Sequence, residues 1–211
     1  ITTLRTNNTG EDLTSSNTDF FANRRGTSLN NYVNIGLPGV PSLGSKRTLF
    51  NRSALVSANN LWKLSRGEFK ANIDYSFNRV LANASNTTTY FLDEGNRIIT
   101  ENRDGTERDH SLCGKFIYEL NQKTAFVNNT LQTNINWNDI KLSTAGSIPT
   151  AQSADLPDYY VNNSFKMIKK FNGKHLVTFE SRNEWESLPQ TLNIGLNGNT
   201  YRQHVGDHAF Y

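Results

Sequence analysis

Glu68–Asn78 reads EFKANIDYSFN, in which Phe69, Ala71, Ile73, Tyr75 and Phe77 fall on one side and Glu68, Lys70, Asn72, Asp74, Ser76 and Asn78 on the other. Successive side chains of an extended chain point to opposite faces, so this period of two predicts a β-strand. The pattern suits a soluble sheet with one wet face, and equally a barrel wall with an apolar outer face and a wet interior. The flanking sequence bears on which it is.

Three hairpins repeat one plan. ALVSANNLWKL (54–64) leads through SRGE into the strand above, with Arg66 and Gly67 at the tip. LCGKFIYEL (112–120) leads through NQKT into AFVNNTLQTNINW (125–137), and YYVNNSFKMIKK (159–170) leads through FNGK into HLVTFESRNEW (175–185). These alternating runs, joined by turns of about four residues, read as β-hairpins. Between the hairpins lie longer polar stretches, expected to be loops at approximately 80–111 and 138–158. The tight turns near Gly67, Lys123 and Gly173 recur at intervals of about fifty residues. All tight turns therefore belong to one end of a sheet and all long loops to the other. Outer-membrane barrels follow that rule, whereas soluble meanders distribute loop length without it. The predicted fold is all-β, a single region over residues 1–211 forming an antiparallel up-and-down meander, with room for about seven to ten strands.

Dimensions agree with a barrel wall. Phe69 to Phe77 spans about 26 Å of strand, or about 20 Å of height at a tilt of about 40°, against an apolar band about 25 Å tall. Trp62 and Phe69 flank a tight turn, and Phe77, Trp137 and Trp185 lie toward the far ends of their strands, the placement expected of two interfacial aromatic girdles. Asn60, Asn129 and Thr133 interrupt the apolar faces, and Asn129 is expected outside the membrane band.

Composition narrows the classes. Apolar residues make up 36% and charged residues only 19% of the 211, so neutral polar side chains dominate, yet aromatics reach 11% and sit in patterned runs, unlike a disordered chain. The formal charge of +3 comes from scattered Lys and Arg; KMIKK (166–170) reads as a solvated strand end, and nucleic acid is not an expected partner. The single cysteine, Cys113, excludes an internal disulfide and reads as a packed strand residue. The chain opens on Ile1 without a basic, then apolar leader, which suggests processing or excision from something longer. No apolar run approaches the length of a membrane helix.

Neither a GxSxG, an HExxH, a P-loop nor an EF-hand loop is present. His204 and His208 flank Asp207, but Gly206 and the strand-like surroundings favour solvated histidines over a metal pair. Asp93, Glu94, Asp104, Glu107 and Asp109 are interleaved with Arg97, Arg103 and Arg108, which compete for the same carboxylates. No catalytic residue, cofactor or metal is expected, and the chain is read as not an enzyme. Tyr90 and Phe91, beside that charged loop, are the candidate ligand-facing residues, since rigid sheets carry binding groups on their loops.

LWKLSRGEFKANIDYSF, NNTLQTNINW, YFLDEGNRI and YRQHVGDHAFY together resemble the barrel region of TonB-dependent receptor-type outer-membrane proteins of Bacteroidetes. The likeness covers most of the chain and rests on strand texture. It implies a fragment of barrel wall in the bacterial outer membrane, facing the lipid bilayer and the plug domain of its parent chain. It also implies uptake of a glycan, siderophore or other nutrient ligand, energised by an inner-membrane complex. The competing reading is a soluble extracellular β-sandwich, at the cell surface or secreted, that binds glycan or protein.

Overall fold

The computed structural model describes residues 2–7, 35–38, 50–171, 175–196, 199–205 and 208–210. Its strands are β1 (Thr2–Asn7), β2 (Phe50–Leu64), β3 (Gly67–Tyr90), β4 (Arg97–Asn121), β5 (Ala125–Ala145), β6 (Thr150–Phe171), β7 (His175–Ser187), β8 (Gln190–Leu196), β9 (Asn199–Val205) and β10 (His208–Phe210). No helix occurs among the described residues. All pairings are antiparallel, in the order β1-β2-β3-β4-β5-β6-β7-β10, with β8 on β6 and β9 on β8. The all-β up-and-down meander expected from the period-two runs is the fold observed.

Beside β6, β7 ends at the pair Tyr159↔Ser187 and β8 takes over at Asp155↔Thr191. Pro189 has no N–H to give to a ladder, which accounts for the break at Leu188 and Pro189 before pairing resumes. The next column is divided likewise, β9 lying on β8 and β10 on β7. Among the described residues the ten strands thus fill eight columns.

Two expected loops are not loops. Most of 80–111 belongs to β3 and β4, which pair from Glu68↔Glu119 to Tyr90↔Arg97, leaving only 91–96 as connection. Most of 138–158 belongs to β5 and β6, paired to Thr144↔Thr150, leaving 146–149 outside the strands. The asymmetry survives in another form. At one end the turns are tight: Ser65 and Arg66 join β2 to β3, and reciprocal bonds between Gln122 and Ala125 (2.8 and 3.3 Å) close the β4–β5 turn. The turn near Gly173 lies outside the described residues. At the other end the hairpins are long, and β4 pairs with β5 only as far as Asn102↔Ala145, so β3 and β4 continue as a two-stranded ribbon to Tyr90 and Arg97. Cross-strand bonds Ser85–Asn102 (2.7 Å) and Thr87–Thr100 (3.3 Å) line this ribbon. Apart from Tyr90, Ile98 and Ile99 its side chains are polar, and Ile98 and Ile99 are adjacent and so fall on opposite faces, which leaves no hydrophobic alternation to betray the strands.

Few large apolar side chains are buried. Among the described residues the apolar cluster consists of Ile35, Ile140, Ala154 and Leu156, with Leu37, Leu142 and Leu192 packed against it. The segment at 35–38 thus seats on β5, β6 and β8 near the long-hairpin end. Gly105 permits this approach, because a Cβ there would lie 2.7 Å from Leu37 Cδ2 and 2.9 Å from Pro38 Cδ.

Candidate functional site

The register sorts side chains into two faces. One carries the rows Trp62–Phe69–Tyr118–Asn129–Phe165, Ala58–Ile73–Gly114–Thr133–Val161–Trp185 and Val56–Tyr75–Leu112–Ile135–Tyr159. The other carries Ser57–Asp74–Cys113–Asn134–Tyr160–Glu186, Asn59–Asn72–Lys115–Gln132–Asn162–Glu184 and Lys63–Glu68–Glu119–Asn128–Lys166–Glu180. We refer to them as the apolar and the polar face.

Exposure is inverted relative to a water-soluble sheet. On the apolar face Ile73 is 41% exposed, while its neighbour Asp74 on the polar face is only 6% exposed. Val56, Trp62, Leu64, Val177 and Phe179 are exposed on the apolar face, whereas Ser57, Ser76, Ser111, Asn162 and Glu186 are buried on the polar one. Burying polar groups while leaving apolar ones outside is unfavourable in water, and it becomes favourable when the outer solvent is hydrocarbon.

The polar face satisfies its groups by short-range bonding. Ser57 donates to Asp74, Cys113 Sγ to Asn134 Oδ1 (3.3 Å), Asn136 Nδ2 to Asp158 Oδ2 (3.2 Å), and Asn162 Nδ2 to the Tyr160 hydroxyl (3.0 Å), which itself donates to Glu184. Cys113 is therefore a hydrogen-bonded strand residue. Lys166–Glu180 (2.6 Å), Arg182–Glu184 (3.3 Å) and the longer contacts of Lys70 with Glu68 and Glu119 (both 3.8 Å) are ion pairs on the same face. Beyond them, beside the apolar cluster and in register with Ile140, burial pushes the Glu107 carboxyl up, and the charge of Asp109 adds to the rise.

Several polar residues of the apolar face pair with one another, while Asn60 Oδ1 accepts from the Leu61 N–H at 2.9 Å. Asn163 Nδ2 donates to Asn129 Oδ1 at 3.0 Å, Asn183 Nδ2 to Ser181 Oγ at 3.2 Å, and the Tyr75 hydroxyl is bonded to His110 Nδ1 at 2.8 Å. Asn129 thus lies within the apolar stripe, in the row of Phe69 and Phe165, and not beyond it as expected. Pairing each amide with a neighbour removes most of its cost of leaving water.

The five expected interfacial aromatics all project from the apolar face. Trp62 stacks on Phe69 with centroids 5.5 Å apart, and Phe69 on Phe116 at 6.4 Å, one row from the tight turns. Phe77 packs on His110 at 4.8 Å, and His110 is directly opposite Trp137, so these three form the far boundary row. Trp185 is opposite Val161, four residues nearer the tight-turn end along β6 than Pro157, the partner of Trp137. Immediately past Phe77 and Trp137 comes the row Arg52–Arg79–Arg108–Asp139–Asp155, which ends the stripe with charge. From Leu64 to Ala54 the stripe covers about 33 Å of strand, or about 25 Å of height at about 40° tilt, the thickness of the apolar band of an outer-membrane barrel.

Tyr90 closes the β3–β4 ribbon and Phe91 stands in its connection at 81% exposure, with Leu92 and Ile98 also exposed nearby. They share one hairpin tip, well beyond the charged row. His204 bonds to Thr191 Oγ1 (3.0 Å) in the β8–β9 hairpin, and the side chain of His208 lies outside the described residues. Among the described residues no three His, Cys, Asp or Glu side chains are grouped to hold a metal ion, and no helix is long and apolar enough to cross a membrane. The β8–β9 hairpin was missed by sequence reasoning, although Leu192, Ile194 and Leu196 alternate before Asn197-Gly198, a hairpin signal. No protein-family model, curated protein or solved structure matches the chain.

Proposed function

We propose that the chain is a section of the wall of an outer-membrane β-barrel, its apolar face against lipid and its polar face toward the interior. The carrying observation is the inverted exposure of neighbouring residues such as Ile73 and Asp74. The height of the stripe between aromatic and charged boundary rows supports the same reading. In this reading the parent is a non-enzymatic transport protein of the TonB-dependent receptor type. Its plug domain packs against the polar face, and a nutrient such as a glycan or siderophore enters from the long-hairpin side, with uptake energised from the inner membrane. Tyr90 and Phe91, exposed on the tip of the longest ribbon, are its ligand-facing residues. Replacing both with alanine in the parent receptor is expected to lower ligand uptake with no loss of assembled barrel; unchanged uptake removes that role.

The membrane assignment has a direct optical test, because the chain's three tryptophans, Trp62, Trp137 and Trp185, all project from the apolar face. Refolded into phosphatidylcholine vesicles, the protein is expected to lose most of its tryptophan emission when the acyl chains are brominated and little to aqueous acrylamide. Strong acrylamide quenching with none from brominated lipid would instead establish the soluble, extracellular sheet.

A further inference from the structure

The charged row that ends the apolar stripe begins with three arginines on consecutive strands. Arg52 on β2 is directly opposite Arg79 on β3, which is directly opposite Arg108 on β4. Like charges directly opposite on one face repel, and adjacent strands are only about 4.8 Å apart. Arg108 is faced in turn by Asp139, but no ion pair joins them within 4 Å, and among the described residues none of the three guanidiniums has a hydrogen-bond or ion-pair partner. Arg52 and Arg79 are exposed, and Arg108 is half-buried. The nearest carboxylates along β4, Glu107 and Asp109, alternate onto the polar face and are turned away. Asp139 and Asp155 continue the row on one side only, so three guanidiniums without an ion-pair partner outnumber them and are a seat for an external anion.

The position of the row selects the anion. It lies two residues past Phe77, about 5 Å further from the mid-plane once strand tilt is allowed for, where hydrocarbon gives way to a headgroup layer about 5–7 Å thick on each side. At a tilt of about 40° a hydrogen-bonded row climbs about 3 Å per strand, so Arg52 and Arg108 differ by about 6 Å in height and both remain in that layer. Guanidinium groups bind phosphate oxygens through two parallel N–H bonds. His110, Phe77 and Trp137 provide a flat wall immediately below, against which the first acyl carbons can lie.

We propose that Arg52, Arg79 and Arg108 form a binding seat for the phosphate of a membrane lipid headgroup on the outside of the sheet. The proposal rests on the membrane-facing reading above. It adds a ligand on the lipid side, separate from any transported nutrient.

The test is lipid retention by the full chain in detergent micelles, counted by native mass spectrometry during titration with phosphatidic acid or with diacylglycerol of the same chains. Wild type is expected to retain phosphatidic acid over diacylglycerol, and R52Q/R79Q/R108Q to bind phosphatidic acid about ten- to a hundred-fold more weakly. Arg79→Gln alone, the central position, is expected to lose about tenfold or less and carries the test if the triple variant does not assemble. Equal retention by wild type and Arg79→Gln overturns the seat, as does equal retention of the two lipids by wild type. Displacement of phosphatidic acid by equimolar inorganic phosphate overturns the lipid as its occupant. Brominated-lipid quenching of the same proteins refolded into phosphatidylcholine vesicles separates the two readings: quenched wild type with unchanged retention in the variants sinks only the headgroup seat, whereas unquenched wild type sinks both.

Discussion

Ile73→Arg is expected to weaken assembly of the protein into lipid vesicles by about 2–4 kcal/mol, the cost of an arginine near the mid-plane of a barrel's lipid face. Ile73 is four residues from Phe69 at one boundary and four from Phe77 at the other, so its guanidinium is as far from either headgroup layer as this strand allows. It is already exposed and opposite Ala58 and Gly114, so the substitution creates no cavity and displaces little packing. A large effect therefore reports the solvent outside the sheet. Asn72→Arg, one residue away on the face of Lys70 and Asp74, is the control and is expected to cost under about 1 kcal/mol. Urea titration of vesicle-inserted protein, followed by tryptophan emission, measures both. Equal small effects at the two positions would mean that water bathes both faces.

Gly67→Val is expected to destabilise the sheet by about 3 kcal/mol, through strain at a single turn. Gly67 follows the two-residue tip at Ser65 and Arg66 with φ of +135°, a conformation that L side chains rarely adopt. A Cβ there would stand 2.5 Å from the backbone oxygen of Glu119 on β4, and backbone cannot swing aside as a side-chain tip can. Relief requires pulling the start of β3 off β4, which breaks the first rungs of both the β2–β3 and β3–β4 ladders. Hydrogen exchange should quicken first at Trp62, Phe69 and Tyr118, with the β5–β6 hairpin unaffected. Gly36→Ala is the matched control: nothing lies within 4 Å of a Cβ there and its φ is ordinary, so a change under about 0.5 kcal/mol is expected. Comparable costs at the two glycines would show that the turn geometry is not what matters.

The strands around the tight turns were legible because their alternation is chemical. Phe69, Ala71, Ile73, Tyr75 and Phe77 against Lys70, Asn72, Asp74 and Ser76 can be read without any coordinate. The extensions at 79–90 and 97–109 were not, since Asn, Thr, Ser, Arg and Glu occupy both faces and hydrophobic periodicity vanishes even though the ladder continues. That the five aromatics share one face follows from their positions along individual strands, but Trp185, expected with Phe77 and Trp137 at the far ends, falls in the row of Ile73, an offset that depends on register across β5, β6 and β7. Asn129 looked like a flaw in an apolar face because its partner, Asn163, is 34 residues away.

The period of two in Glu68–Asn78 was enough to establish a strand with two unlike faces, because alternation follows from local backbone geometry alone. Which face is hidden is a property of the assembled sheet. It depends on neighbours brought together by pairing, such as Ser57 beside Asp74, Asn163 beside Asn129 and the three arginines in line, and on the 35–38 segment returning to cover Ile140, Ala154 and Leu156. Contacts between residues tens of positions apart leave no periodic trace in a single sequence, so only the tertiary structure decided that the apolar face is the one left outside.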